Sequence, residues 1–83
     1  MAPASDSILW QVKERQGGHW RDFPADLNAV VEEVFQNGVP GAVFPWVSGN
    51  GNVTDYEIDF ASMVQKNRTT QTTRSVRRVQ LMP

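Results

Sequence analysis

The distribution of charge along the chain sets what chemistry it can offer. Residues 61–83 hold Lys66, Arg68, Arg74, Arg77 and Arg78 and no acid, a net +5. Residues 1–60 hold all nine acids against Lys13, Arg15 and Arg21, a net −6. The overall charge of −1 argues against a general nucleic-acid binder, whereas the basic end can favour a phosphate-bearing ligand. On charge alone an alternative stands beside this one: an acidic helix and a basic strand neutralise each other in the fold.

Catalytic constellations are missing. His19 is the single histidine, cysteine is absent, and no glycine-rich loop runs into Lys-Ser or Lys-Thr ahead of a helix. A lone histidine beside a glycine turn reads as a surface residue, not as a general base. Asp55, Glu57 and Asp59 alternate along one stretch. Calcium ligands usually come from a tight loop, so this trio reads as a solvated strand face. No enzyme activity, metal or cofactor is expected.

These residues must be positioned by a small scaffold. At 83 residues the chain is one domain, near the lower size limit for folding on a hydrophobic core alone. Without cysteine there is neither a disulfide framework nor a Cys-based zinc site, which suits the cytosol or nucleus. Apolar runs fall far short of the roughly 20 residues that cross a bilayer, and no signal-peptide core follows Met1. The chain reads as a soluble intracellular domain or a piece of a larger protein. Residues 1–7 are expected as a disordered lead-in, 8–81 as the domain and 82–83 as a tail.

Ile8, Trp10 and Val12 alternate with Leu9, Gln11 and Lys13, which predicts a strand buried on one face. Gly17 and Gly18 supply a hairpin turn into a second strand over HWRDF, placing Trp10 and Trp20 on paired strands. Leu27, Val30, Val31, Val34 and Phe35 form the stripe of an amphipathic helix, with Asp26 as N-cap and Asn37-Gly38 as the stop. Glu32 and Glu33 fall off that stripe, so at least one should be solvated. Two strands follow around Asn50-Gly51, and Pro45 marks the first as an edge or bulged strand. In the second, Thr54, Tyr56, Ile58 and Phe60 share the core face, with the Tyr56 hydroxyl at its rim. ASMVQKNRTTQTT reads as a turn and mobile loop, and RSVRRVQLM as a last strand with Val76 on one side. The expectation is an α+β fold in the order β-β-α-β-β-β: a strongly curved antiparallel half-barrel of about five to six strands around one helix.

Trp10, Trp20 and Glu32, together with WRDF, VEEVF, YEIDFASMVQ and RSVRR, resemble the WWE domain, named for two tryptophans and a glutamate. The resemblance spans residues 8 to about 80. It implies a half-barrel holding one helix, in agreement with the periodicity. It also implies a module of ubiquitin ligases and ADP-ribosyltransferases that recognises iso-ADP-ribose, the internal unit of poly(ADP-ribose) with phosphates on either side of a ribose–ribose bond. The adenine would then enter the open end of the half-barrel, and the phosphates would meet the basic strand.

Three residues carry over as ligand-binding. Tyr56 matches a ligand-contacting tyrosine whose hydroxyl can donate to a phosphate or ribose oxygen. Gln65 matches the glutamine of Met-x-Gln, whose amide sets a donor beside an acceptor, as an adenine edge requires. Arg74 matches the first arginine of the last motif and has the planar fork that suits phosphate. Without the resemblance, Tyr56 reads as core, Gln65 as a turn cap and Arg74 as partner of a neighbouring acid. Phe23, Arg77 and Trp46 are secondary ligand candidates. Phe23 stands where some ligand-binding members have tyrosine, and the absent hydroxyl removes a hydrogen bond worth roughly 0.5–1.5 kcal/mol, about two- to tenfold in affinity. Trp10, Trp20 and Glu32 read as structural, with both tryptophans in the core and Glu32 paired to an arginine.

The implied function is non-catalytic recognition of poly(ADP-ribose) or ADP-ribosylated proteins, bringing a ubiquitin ligase, preferentially a HECT-type ligase, to modified proteins in nucleus and cytoplasm. The alternative is a WWE-fold protein-interaction or substrate-presenting scaffold, with other ubiquitin-pathway proteins as partners. No membrane or sequence-specific nucleic-acid partner is expected, and the isolated domain should be monomeric. General single-strand RNA binding would require a row of exposed aromatics that RTTQTTRSVRR lacks.

Overall fold

The computed structural model describes residues 7–14, 17–47 and 49–81. Six strands and one helix run in chain order as β1 (Ile8–Lys13), β2 (Trp20–Asp22), α1 (Ala25–Gln36), β3 (Gly41–Val47), β4 (Val53–Asp59), β5 (Val64–Asn67) and β6 (Thr73–Gln80). All pairings are antiparallel and the strand order is β2-β1-β6-β5-β4-β3. The result is the expected α+β half-barrel packed against one helix. The lead-in and tail lie outside the described residues except for Ser7, whose carbonyl accepts from Leu81 N at 2.8 Å.

Alternation predicts β1 well, since Ile8, Trp10 and Val12 are buried and Lys13 is exposed. They join Phe23, Val31, Phe44, Ile58 and Val76 in one core. Trp10 is fully buried between Phe35 and Phe60, with ring centroids 5.4 and 5.5 Å away. Loss of such an aromatic costs about 3–5 kcal/mol. Pro45 lies on β3, an edge strand, where a missing N–H need not break the ladder.

The helix differs from its expected stripe. Asn28, Val31 and Glu32 are its buried residues, Val30 is 52% exposed, and Glu33 is the solvated member of the acidic pair. α1 is turned so that polar residues reach β1: Asn28 Oδ1 accepts from Trp10 N at 2.6 Å, and Asn28 Nδ2 donates to Ile8 O at 2.9 Å. The N-cap is Pro24, without a side-chain cap bond, and Asp26 falls in the first turn instead. There its charge still complements the helix dipole. At the other end Asn37 is the C-cap, and Gly38 takes the left-handed conformation at φ +75°.

Two further expectations are overturned. The segment read as turn and mobile loop contains β5, followed by a turn in which Asn67 Oδ1 accepts from Thr69 N (2.8 Å) and Thr70 N (3.1 Å). Trp20 is not core. Its register partner is Lys13, on the face of β1 opposite to Trp10, so the indole lies outside with the Arg77 guanidinium 4.2 Å from its ring centroid.

Candidate functional site

The inward face of β6 presents Arg74, Val76 and Arg78 in alternation, and the two arginines meet different surroundings. Around Arg78 the polar groups are satisfied. Its Nε donates to Glu32 Oε1 at 2.8 Å and its Nη2 to Glu32 Oε2 at 2.6 Å. Trp10 Nε1 adds a bond to Oε1 at 2.9 Å and Gln36 Nε2 one to Oε2 at 2.7 Å. The Arg78 hydrogen bond, helped by those from Gln36 and Trp10 and opposed by burial, lowers the Glu32 pKa from 4.5 to about 2. Arg78 is held above its ordinary value by the same pair. This answers which arginine Glu32 meets: one W and the E of the motif lock helix to sheet.

Arg74 sits directly opposite Gln65, its register partner on β5, and Ile58 of β4 pairs with Gln65 in turn. Two cavities open here, of about 320 and 190 Å³, and Tyr56, Gln65 and Arg74 line both. The first extends to Val12, Arg21, Trp46 and Thr54; the second extends to Asn67, Thr70 and Thr72. Among the described residues no carboxylate lines either one, and Arg74 forms no ion pair. Gln65 is only 4% exposed, and its Oε1 is buried without a hydrogen-bond partner. Such an orphan costs roughly 1–3 kcal/mol, so a ligand group that pairs with it recovers that cost on binding. Rotation of the amide exchanges the orphan acceptor for its two N–H donors, so the position can serve either need.

Aromatic rings hold the wall in shape. Trp46 lies against Phe23 at 5.2 Å and Tyr56 at 6.0 Å between centroids, and Tyr56 stacks near Phe44 at 6.2 Å. Tyr56, Gln65, Arg74 and Trp46 are thus brought together. Phe23 and Arg77 are not. Phe23 is 3% exposed in the core, behind the Trp46 ring, and lines neither cavity. Arg77 points to the outer face, where its Nε donates to Gln11 Oε1 at 2.7 Å beside Trp20.

Arg21 is the residue that sequence reading missed. β2 pairs Arg21 with Val12, on the inner face, and the guanidinium lies 5.9 Å from the Trp46 ring centroid at the cavity wall. The inversion that takes Trp20 outward brings Arg21 inward, because neighbouring strand residues face opposite ways. Asn67 was missed along with β5. Asp55 and Asp59 are exposed on the outer face of β4, and among the described residues no group of three acids or histidines is placed to hold a metal.

A chamber with two arginines, a buried unused amide and aromatic walls suits a ligand joining a phosphate to a planar heterocycle. A family model described as the WWE domain matches residues 8–78 of the chain. No curated protein matches it.

Proposed function

The chain belongs to the WWE domain family, and from that premise we propose that it recognises poly(ADP-ribose) through its iso-ADP-ribose unit, bound across the two cavities that share Tyr56, Gln65 and Arg74. The family is a non-catalytic binding module associated with this polymer. The observation that carries the reading is the buried, unpartnered Gln65 Oε1 set beside Arg74, which among the described residues has no acid partner.

In this account the adenine edge pairs with the Gln65 amide, and Arg74 takes a phosphate through its fork. The Tyr56 hydroxyl serves a ribose or phosphate oxygen, and Arg21 is a second cation for the other phosphate. Because no carboxylate among the described residues lines the chamber, the phosphates meet no like charge from them there. Binding would bring a ubiquitin ligase, in our reading a HECT-type one working in nucleus and cytoplasm, to ADP-ribosylated proteins.

A protein-interaction role is favoured by one different observation. A groove of about 470 Å³ runs between α1 and β3, flanked by Val30, Val43 and Val47, which are 52%, 59% and 61% exposed.

Calorimetric titration with iso-ADP-ribose, ADP-ribose and AMP at one salt concentration separates the readings. Saturable binding strongest for iso-ADP-ribose supports the polymer reader. Equal binding of all three means a general nucleotide pocket, and no binding up to millimolar ligand leaves the interaction scaffold in front.

A further inference from the structure

Arg74 lines a third cavity, of about 330 Å³, outside the chamber described above. The β1–β6 ladder runs from Ile8↔Gln80 to Val12↔Val76 and has no further register pair. The cavity opens just beyond that last pair, between Lys13 and Glu14 of the β1–β2 hairpin and Thr72–Ser75 at the start of β6. Gly18 closes it from the hairpin side at φ +67°, and a β-carbon there would lie 3.6 Å from Lys13 Cε. The lysine stem is thereby backed by the turn, and Lys13 lines a space that the hydroxyl-bearing residues Thr72, Thr73 and Ser75 also line. Among the described residues of the lining, the charged groups are Lys13, Arg74 and the one acid Glu14. Arg74 therefore borders both the ligand chamber and a second space that Lys13 also lines.

The chemistry of the polymer gives that arrangement a use. Iso-ADP-ribose carries a single phosphate at each end, whereas in poly(ADP-ribose) each of those phosphates is half of a pyrophosphate. We infer that the cavity between the β1–β2 hairpin and β6 is a polymer subsite, which takes the outer phosphate of the pyrophosphate whose inner phosphate Arg74 holds, with Lys13 as its cation. The inference rests on the proposed binding of iso-ADP-ribose and names what the protein gains from the longer chain. A domain built this way discriminates a linked unit from an excised one through a residue that does not touch the excised one.

The test uses the ADP-ribose dimer, which contains one ribose–ribose bond flanked by complete pyrophosphates and so adds no second iso-ADP-ribose unit. Calorimetry at low and moderate salt should find the dimer binding about threefold to tenfold tighter than iso-ADP-ribose, with the advantage shrinking as salt rises. Lys13→Gln should remove that advantage while leaving iso-ADP-ribose affinity and the unfolding midpoint unchanged, and Lys13→Arg should keep it. Equal affinities for dimer and iso-ADP-ribose, or an advantage that survives Lys13→Gln, would overturn the subsite. Failure of iso-ADP-ribose itself to bind would instead overturn the proposed function on which the subsite depends.

Discussion

Arg74 and Arg78 stand four residues apart on one face of β6, with buried Val76 between them, yet they belong to different kinds of region. At the Arg78 end, the Glu32 carboxylate accepts from Arg78, Trp10 and Gln36, and the helix covers the sheet. At the Arg74 end no carboxylate among the described residues lines the two chamber cavities, and the facing amide, Gln65, keeps a buried polar atom unpaired. A half-barrel with one helix can be closed at only one end. The difference teaches that satisfied and unsatisfied polar groups are divided along a single strand: the paired arginine holds helix to sheet, and the proposed function gives the other to a ligand.

Breaking the closed end should have the largest effect. Glu32→Ala strands the Arg78 guanidinium and the Trp10 indole N–H, and is expected to cost about 3–5 kcal/mol in urea unfolding. A loss below about 1 kcal/mol would mean that the pair is not the lock described here.

Acid should undo the same lock gradually. The folded-state pKa of Glu32 is depressed from 4.5 to about 2, so its contribution is fully present above pH 4.5 and is lost as pH falls towards 2. The expected loss is about 3 kcal/mol across that window, and Glu32→Gln should flatten this part of the profile.

The open end should answer in binding and not in stability. Arg74→Ala and Gln65→Ala are each expected to weaken iso-ADP-ribose binding about tenfold to a hundredfold while shifting unfolding by less than about 1 kcal/mol. A destabilisation rivalling that of Glu32→Ala would erase the distinction between the two ends.

The smallest effect separates the two tryptophans of the motif. Trp20→Ala removes an outer-face ring that carries Arg77, and should cost about 1 kcal/mol in urea unfolding with the protein still folded. An unfolded variant would return Trp20 to the core.

What was legible in the sequence follows the same division. β1 and β4 announce themselves because their inner faces are apolar or nearly so over six or seven residues. β5 does not, since its inward positions are Gln65 and Asn67, cavity-lining residues that replace the apolar alternation a core strand would show. The features that make it part of the site hid it as a strand. β2 is three residues long with the sequence Trp-Arg-Asp, too short for periodicity to fix which face is which, so by pattern Trp20 reads as buried and Arg21 carries no signal. The helix stripe erred similarly, because Asn28 and Glu32 are buried through bonds to β1 and β6 that no local pattern encodes. Tyr56, Gln65 and Arg74 were identified through family resemblance; spacing alone left each of them an ordinary structural reading.

The most direct test follows both ends at once. In ¹H–¹⁵N spectra of the labelled domain titrated with iso-ADP-ribose, the Gln65 side-chain amide, the Arg74 Nε–H and the Trp46 indole N–H should shift to saturation together. The Trp10 indole and Arg78 Nε–H should hold their positions. Shifts centred on Trp10 and Arg78, or on Trp20 and Arg77 at the outer face, would contradict the assignment of recognition to the open end.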